Sequence, residues 1–317
     1  MSIALDERRS FRTGHLADQA FRAVTMAFAV AVLLVLVAVV VTLAVGSLPA
    51  LEKFKLGFFT SAAWNPVTNT FGALAPVWGT LVSSLIAILV GVPVSFGIAL
   101  FLTEMSPLWL RRPVGMAVEL LAAIPSIIYG MWGLFVFAPF YAAHVQPLLT
   151  TLFGGLPFFG ALFDGPPLGI GMSTAGLILA AMIVPFISSV MRDVFETVPS
   201  VLKEAAYGIG ATTWEVVWRI VLPYTRTGVM GGIMLGLGRA LGETMAVTFV
   251  VGNSHHITAS LFMPGTTISA AIANEFTEAV GNIYASSLMA LGLTLFFITF
   301  VVLALAKLML QRLGGPR

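Results

Sequence analysis

A single arginine and a nearby glutamate stand inside an apolar, glycine-rich run, residues 231–248 (GGIMLGLGRALGETMAVT). Arg239 is the only arginine inside any long apolar segment of the chain, and a charge in such a segment marks a functional site by default. Its four-residue spacing from Glu243 predicts that both side chains lie on one helix face. A guanidinium presents a planar fork of donors that suits oxyanions. The pair therefore predicts an anion site on a solute pathway, and mutual neutralisation within a packed helix is the alternative.

The small residues around Arg239 form two patterns. Gly236 and Gly242 lie three residues to either side of it, so an anion bound to the guanidinium would meet bare backbone there. We include both glycines in the predicted solute pathway. A second row repeats every four residues, which is typical of close helix packing, and it comprises Gly228, Gly232, Gly236 and Ala240.

The composition predicts a membrane protein without catalytic chemistry of its own. Of the 317 residues, 58% are hydrophobic and only 9% are charged, whereas soluble domains carry about 25% charged residues. The chain has no cysteine, which excludes disulfides and thiolate sites, and its four histidines predict no metal site. None of the four lysines precedes Ser or Thr, so the Walker A pattern of a nucleotidase is missing. We predict that the chain is not an enzyme and uses no cofactor or nucleic acid.

Six apolar segments reach the roughly 20 residues that a spanning helix needs. Lysine and arginine concentrate on the cytoplasmic side of membrane proteins. Thirteen of these residues lie in tails and loops on the side that holds both termini, and two lie in loops on the other side. The sequence thus predicts an all-α, six-helix bundle with cytoplasmic termini, a cytoplasmic tail over 1–22 and a transmembrane domain over 23–317. The predicted spans are about 23–46, 76–103, 114–140, 168–190, 227–251 and 284–310.

The segments between spans on the outer side differ in character. Residues 141–167 are apolar but repeatedly broken by Gly and Pro, and broken backbone in a membrane is tolerated only against protein or water. They predict a re-entrant or interfacial segment, with a short seventh span as the alternative. Residues 252–283 carry Asn274, Glu275 and Glu278, which are expected to lie in an ordinary solvated loop, with a loop that contacts a partner protein as the alternative. Pro125 lies inside the third predicted span and is expected to kink it.

The longest cytoplasmic loop, residues 192–226, is predicted to hold two short helices. Ser200 is a candidate N-cap of the first helix, and Gly210 is suited to end it in a left-handed conformation. Thr212 and Glu215 form a capping-box pattern that begins the second helix, which Pro223 is expected to stop. Two short helices at an angle predict a docking surface for a partner, and a stiff connector on the membrane surface is the alternative.

The spacing within this loop is specific. The pattern begins with Glu204, Ala205 and Ala206, and three residues separate it from Gly210. Nine residues then lead to Ile220, and one more residue precedes Leu222 and Pro223. This pattern resembles the EAA loop of permeases of ABC importers at every defining position. The resemblance implies that these residues insert into a groove of a cytoplasmic ATPase and carry its motion to the membrane helices. The residue types fit this role, because small side chains permit close approach and glycine permits the bend.

A wider resemblance covers most of residues 45–312 in order. It is to the permease subunits of bacterial phosphate importers, and it implies the bundle of a type I ABC importer permease in the inner membrane. It also implies a second permease subunit, a cytoplasmic ATPase dimer and a periplasmic phosphate-binding protein as partners, and phosphate passage at Arg239 and Glu243. The stretches that carry it are 93–105 (PVSFGIALFLTEM), 119–139, 190–199 (VMRDVFETVP) and 231–253.

Two other functions stay open from the residues alone. The first is an ABC permease for another oxyanion, such as sulfate or molybdate, because a guanidinium binds any of these. The second is a channel or an ion-coupled carrier that needs no ATPase. A channel or carrier of this kind would not need the loop around Glu204 and Gly210, so the second alternative predicts that no ATPase binds there.

Overall fold

The computed structural model describes residues 3–157 and 159–313, and almost all of its regular structure is helical. Two residues on each side of a turn pair as a short antiparallel hairpin, with Trp64 opposite Phe71. The described structure leaves out the side chains of five arginines that enter the charge count: Arg8, Arg9, Arg12, Arg312 and Arg317. The α-helices and strands are α1 (Ile3–Phe54), α2 (Gly57–Thr60), β1 (Trp64–Asn65), β2 (Thr70–Phe71), α3 (Leu74–Leu100), α4 (Leu108–Ala122), α5 (Ser126–Trp132), α6 (Ala138–Phe140), α7 (Gln146–Phe153), α8 (Met172–Glu196), α9 (Ser200–Gly208), α10 (Thr213–Val216), α11 (Leu222–Leu241), α12 (Met245–Val250), α13 (Ile268–Glu275) and α14 (Asn282–Leu313).

Short π-helical turns join several of these helices into longer rods. They cover Phe101–Met105, Gly133–Phe137, Tyr141–Val145 and Val217–Val221, and one 3₁₀ turn covers Gly160–Leu162. Such π turns insert an extra residue without ending the helix. Within the described residues, six helices are then long and apolar enough to cross a membrane: Ala17–Phe54, Leu74–Met105, Ser126–Phe153, Met172–Glu196, Thr213–Leu241 and Asn282–Leu308.

The number of spanning helices agrees with the sequence prediction, but two of them lie elsewhere along the chain. The third span was placed at 114–140 and instead runs over Ser126–Phe153. The fifth was placed at 227–251, whereas the continuous helix there is Thr213–Leu241, which begins inside the predicted cytoplasmic loop. In both cases the predicted segment contains a break in the helix, which an average of hydrophobicity along the sequence cannot detect. Helix α1 runs from Ile3 to Phe54, so it begins within the predicted tail over 1–22 and continues through the first span.

The central element of the bundle is α8. Its most apolar stretch is 67% buried, against at most 28% for any other spanning helix of the described chain. The side chains of Ile178, Ile183 and Ile187 are fully or almost fully buried within its core. Helices α3, α4 and α11 all pack against α8. The helix that carries Arg239 is therefore held directly on the core of the molecule.

The sequence predicts irregular backbone within the protein over 141–167, whereas the structure has such backbone over 252–267. Residues 141–153 simply continue the third span as helix. Instead, the segment 252–267 folds back over the start of α8, whose first N–H groups donate to the carbonyls of Met263 at 3.2 Å and Leu261 at 2.8 Å. Helix N-termini leave such donors unpaired, so this contact satisfies two of them. The expectation of a solvated loop over 252–283 is wrong for this part of it.

Glu275, at the end of α13, is also more than a loop carboxylate. It accepts hydrogen bonds from Trp64 Nε1 at 2.6 Å and the Tyr284 hydroxyl at 2.6 Å, and it lies 2.8 Å from Nε2 of His255. Burial raises the pKa of this carboxyl, and the hydrogen bonds from His255, Tyr284 and Trp64 lower it by more, so the net pKa lies below its ordinary value. The cluster ties the hairpin, the 252–267 segment and the start of α14 together.

Candidate functional site

Arg239 lies in the last turn of α11, and its side chain is exposed on the surface of the isolated chain. No carboxylate among the described residues forms an ion pair with it. The short helix α12, which begins six residues after Arg239, packs against α5 at the start of the third span. The donors of Arg239 are thus directed away from the core of the chain, where a second molecule has access to them.

The helix that carries Arg239 ends before Glu243. Helix α11 stops at Leu241, Gly242 follows as its C-cap, and α12 begins at Met245. The Glu243 carboxylate accepts a hydrogen bond from the Ala246 N–H at 3.2 Å, at the start of α12. Glycine weakens a helix by about 1 kcal/mol, and a carboxylate is favoured at a helix N-terminus. The prediction that Arg239 and Glu243 share one helix face is therefore wrong, because the helix breaks between them.

A second break lies in the third predicted span. Helix α4 ends at Ala122, and α5 begins at Ser126, directly after Pro125. Proline lacks an N–H and disfavours a helical conformation of the residue before it, so Pro125 ends the helix rather than kinking it. The Tyr129 hydroxyl then crosses the break and donates to the Leu121 carbonyl at 3.0 Å.

The two breaks lie side by side. A Cβ atom at Gly130 of α5 would lie 2.8 Å from Phe249 and 3.0 Å from Cα of Ala246, so α12 approaches α5 backbone to backbone. Interrupted membrane helices of this kind form the substrate sites of many transporters, because their free ends offer unpaired backbone groups. The structure thus brings Arg239, Glu243 and the start of α5 to one region, although they come from two different spans.

The glycines beside Arg239 have different roles. A Cβ atom at Gly236 would overlap the Ile187 side chain of α8, so this glycine serves helix packing and not the open face that carries Arg239. The same holds for Gly228 and Gly232, which face Val194 and Val190. The predicted row of small residues is confirmed. Gly242 faces open space, with no atom nearer to its Cβ position than the Gly238 carbonyl at 3.8 Å.

We expect Gly236→Leu to destabilise the protein, because the added side chain overlaps Ile187. Overpacking of this kind costs about 1–3 kcal/mol, which thermal unfolding of the detergent-solubilised protein measures. Adding Ile187→Ala is expected to restore much of the loss, and Gly242→Ala is the control that leaves stability unchanged. Equal melting temperatures for Gly236→Leu and the parent chain would contradict the packing role.

The predicted coupling loop has the two-helix form that its sequence pattern indicates. Gly210 has φ +89°, which is the left-handed conformation expected after a helix end. The Thr212 and Glu215 side chains form the predicted capping box in both directions. Ser200 is not the N-cap, because Pro199 takes that position and the helix starts at Ser200, one residue earlier than expected.

The second helix of the loop does not stop at Pro223. It runs on through the π turn at Val217–Val221 into α11, so a single helical rod extends from Thr213 to Leu241. Pro223 is the second residue after the π turn, where a missing N–H is tolerated as it is in a first helical turn. The capping box and Arg239 therefore lie on one continuous element.

The predicted coupling residues divide into an exposed and a packed set. Glu204, Ala205, Gly210 and Pro223 are exposed, whereas Ala206 is buried, and Ile220 packs partly against the core. Large apolar side chains also face outward here, with Ile209 88% and Trp214 68% exposed. Apolar surface exposed at this density marks an interaction site. Leu222 is partly buried and lies at the start of α11.

An ion pair that the sequence analysis did not identify attaches the coupling loop to the second span. Lys203 Nζ lies 2.6 Å from Glu104 Oε1, and the two side chains are only 18% and 5% exposed. Glu104 belongs to the π turn that ends α3, 99 residues earlier in the chain. The partners carry no motif and are far apart in sequence, so only the folded chain shows the contact.

A model of the family described as "Binding-protein-dependent transport system inner membrane component" matches residues 91–315. The chain belongs to this family. Its six apolar helices accordingly make it a multi-pass inner-membrane protein. The match includes the coupling loop, both helix breaks and Arg239.

Relatives over nearly the whole length are named "Phosphate transport system permease protein PstC". The one from Mesorhizobium japonicum is 63% identical over 95% of this chain and 92% of its own length. The one from Pasteurella multocida is 58% identical over 94% of this chain and 93% of its own length. A relative from Methanocaldococcus jannaschii, named as a probable protein of this kind, is 38% identical over 81% of this chain and 82% of its own length.

Solved structures of ABC importers share the fold. A chain of the MetNI methionine ABC transporter, in an inward-facing conformation, has a TM-score of 0.53 and 17% identity over 75% of this chain and 94% of its own. A chain of a bacterial alginate ABC transporter has a TM-score of 0.58 and 19% identity over 86% of this chain and 88% of its own. The fold is therefore that of a type I ABC importer permease.

Proposed function

We propose that this chain is the PstC-type permease subunit of an ATP-driven phosphate importer and forms half of its translocation pathway. The observation that carries the proposal is the placement of Arg239. An exposed guanidinium without a carboxylate partner in the described chain lies at the helix break between α11 and α12. It also lies at the far end of the rod that begins in the coupling loop. The names of the whole-length relatives agree with phosphate as the solute.

The same proposal assigns the partners and the orientation. Exposed Glu204, Ala205, Gly210 and their apolar neighbours would contact a PstB-type cytoplasmic ATPase dimer, which supplies the energy. A PstA-type second permease would complete the pathway on the open side of Arg239. A periplasmic PstS-type binding protein would deliver phosphate at the opposite end. Both termini are then cytoplasmic, in keeping with the excess of lysine and arginine on that side.

The proposal gives Arg239 and Glu243 separate tasks. Arg239 attracts the oxyanion through its fork of donors. Glu243 is bound to the start of α12 and not to Arg239, so it does not shield the arginine in this structure. Near neutral pH phosphate keeps at least one proton, and a carboxylate accepts a hydrogen bond from that hydroxyl. Sulfate has no such proton, and the same carboxylate repels it.

Reconstitution of the complete complex in liposomes tests this function. ATP-dependent uptake of phosphate, with no uptake of sulfate or molybdate, is the expected result. Transport of another oxyanion in its place would assign the chain to that oxyanion, and phosphate flux without ATP or ATPase would indicate a channel. No specific observation favours either alternative.

We expect Glu243→Gln to weaken the discrimination against sulfate. Loss of the repulsive carboxylate is worth about 1.4 kcal/mol or more, which corresponds to roughly tenfold stronger inhibition by sulfate. The measurement is phosphate uptake at increasing sulfate, with the binding protein kept saturated with phosphate so that competition reports the membrane pathway. Glu278→Gln, in the outer segment, is the matched control. Unchanged sulfate inhibition in Glu243→Gln would assign selectivity to the binding protein.

A further inference from the structure

A charged cavity that the proposed pathway does not use lies between α4 and α8, at the end of the bundle that carries the coupling loop. Its volume is about 620 Å³, which is within the range of about 300–1,000 Å³ typical of small-molecule sites. Three arginines from two different elements line it, together with two glutamates and one methionine. The lining residues are Arg111, Arg112, Met116, Glu119, Arg192 and Glu196.

One wall of the cavity is fixed by an internal ion pair. Arg192 Nη2 donates to Glu119 Oε1 at 2.6 Å and to Asp193 Oδ1 at 3.2 Å. Gly115 of α4 leaves room for this guanidinium, since a Cβ atom there would lie 2.6 Å from Arg192 Nη1. Arg192 and Glu119 therefore hold α4 on α8, and their charges are committed to each other.

The other two arginines are free to bind a ligand. Neither Arg111 nor Arg112 forms an ion pair within the described part of the chain. The Nε of Arg111 is buried and has no hydrogen-bond acceptor there, which is costly for a polar donor unless a bound group accepts from it. Glu196 is the one remaining carboxylate of the lining. Two unpaired guanidinium groups therefore face one lining carboxylate, so the positive groups available to a ligand outnumber the negative ones.

The surface around this cavity is apolar. Leu108 and Trp109, just before the two arginines, are 80% and 76% exposed, and Met116 is 58% exposed. Arginines beside exposed apolar and aromatic side chains, on the cytoplasmic side of membrane helices, are typical of sites for anionic lipid headgroups. We propose that Arg111 and Arg112 bind a phosphate group, carried by the headgroup of an anionic phospholipid or by free phosphate. The lipid source does not depend on which solute the chain transports.

The test uses the full chain in its complex, in nanodiscs, without binding protein. In the first arm, native mass spectrometry measures how much phosphatidylglycerol the complex retains against an excess of phosphatidylcholine. In the second arm, binding of inorganic phosphate is measured in phosphatidylcholine alone. The variant Arg111→Gln/Arg112→Gln is expected to lower affinity at least roughly tenfold in one of the arms, and the arm that responds identifies the source.

Two further variants make the outcome decisive. Arg22→Gln/Lys307→Gln removes two exposed basic side chains on other helices and is expected to change neither arm. Arg111→Lys/Arg112→Lys keeps the charges and is expected to retain part of the binding, which separates loss of the site from misfolding. The proposal is overturned if the Gln variant and the parent complex bind equally in both arms. Failure of phosphate transport in the liposome assay would leave the lipid arm unaffected, so the two proposals fail separately.

Discussion

Arg239→Ala is expected to abolish phosphate uptake by the reconstituted complex while leaving its assembly intact. Hydrogen bonds to a charged group contribute about 1.5–3 kcal/mol each, so losing both donors of the fork corresponds to roughly 100-fold to 10,000-fold slower transport. Assembly should survive, because the side chain is exposed and takes no part in an ion pair of the described chain. Initial rates of ATP-dependent uptake measure the loss, and size-exclusion chromatography checks the assembly.

The form of the side chain matters as well as its charge. Arg239→Lys keeps the positive charge but loses the planar fork, so we expect it to recover only a small part of the uptake. Leu235→Ala is the matched control, because Leu235 is exposed one turn earlier on the same helix. Uptake by Arg239→Ala within a few-fold of the parent complex would remove Arg239 from the pathway.

Lys203→Met is expected to uncouple ATP hydrolysis from transport. It leaves the Glu104 carboxylate buried and unpaired, and breaking a buried ion pair in this way costs about 3–5 kcal/mol. The lower end applies here, because Lys203 is 18% exposed. Helix α9 would then lose its attachment to the end of α3, so movement of the ATPase would no longer reach the second span. We expect phosphate uptake per ATP hydrolysed to fall at least tenfold, as a cost of about 3 kcal/mol allows.

A double-mutant cycle separates the pair from its individual charges. Glu104→Gln in the Lys203→Met background removes the unpaired carboxylate and is expected to recover part of the coupling. Lys307→Met, which removes an exposed lysine from the last helix, is the control. Full coupling in the Lys203→Met complex would show that α9 is held by its other contacts, and would leave the ion pair without a mechanical role.

The coupling loop was predictable because its signals are local. A capping box involves Thr212 and Glu215, three residues apart, and a left-handed glycine such as Gly210 ends a helix through its own backbone. Two local details were wrong: the N-cap is Pro199 and not Ser200, and the helix does not end at Pro223, which was read as a stop. The π turn before it supplies the extra residue that lets the helix continue. That adjustment depends on how the rod packs against α8 and has no sequence pattern.

The candidate site was predicted only in part. The sequence singled out Arg239 because a charged side chain in an apolar segment is costly in free energy. It singled out Glu243 by its four-residue spacing from Arg239. The helix break that separates them was missed, because apolar residues continue on both sides of Gly242 and keep the segment long enough to span. Gly236 was placed on the pathway for lack of a side chain, whereas its contact with Ile187 decides its role.

By itself, the sequence determined the class of the molecule, the number of its spans and the two-helix form of the predicted coupling loop, and it singled out Arg239 as the candidate for binding an anion. These follow from hydrophobicity, charge and short-range spacing, which act within one or two helical turns. The tertiary structure alone decided where the helices break and that α5 packs against α12, just after the break that follows Arg239. It also decided that Lys203 reaches Glu104 and that two arginines of α4 line a cavity with α8. Each of these depends on contacts between residues far apart in the chain, whose energies appear only once the helices have packed.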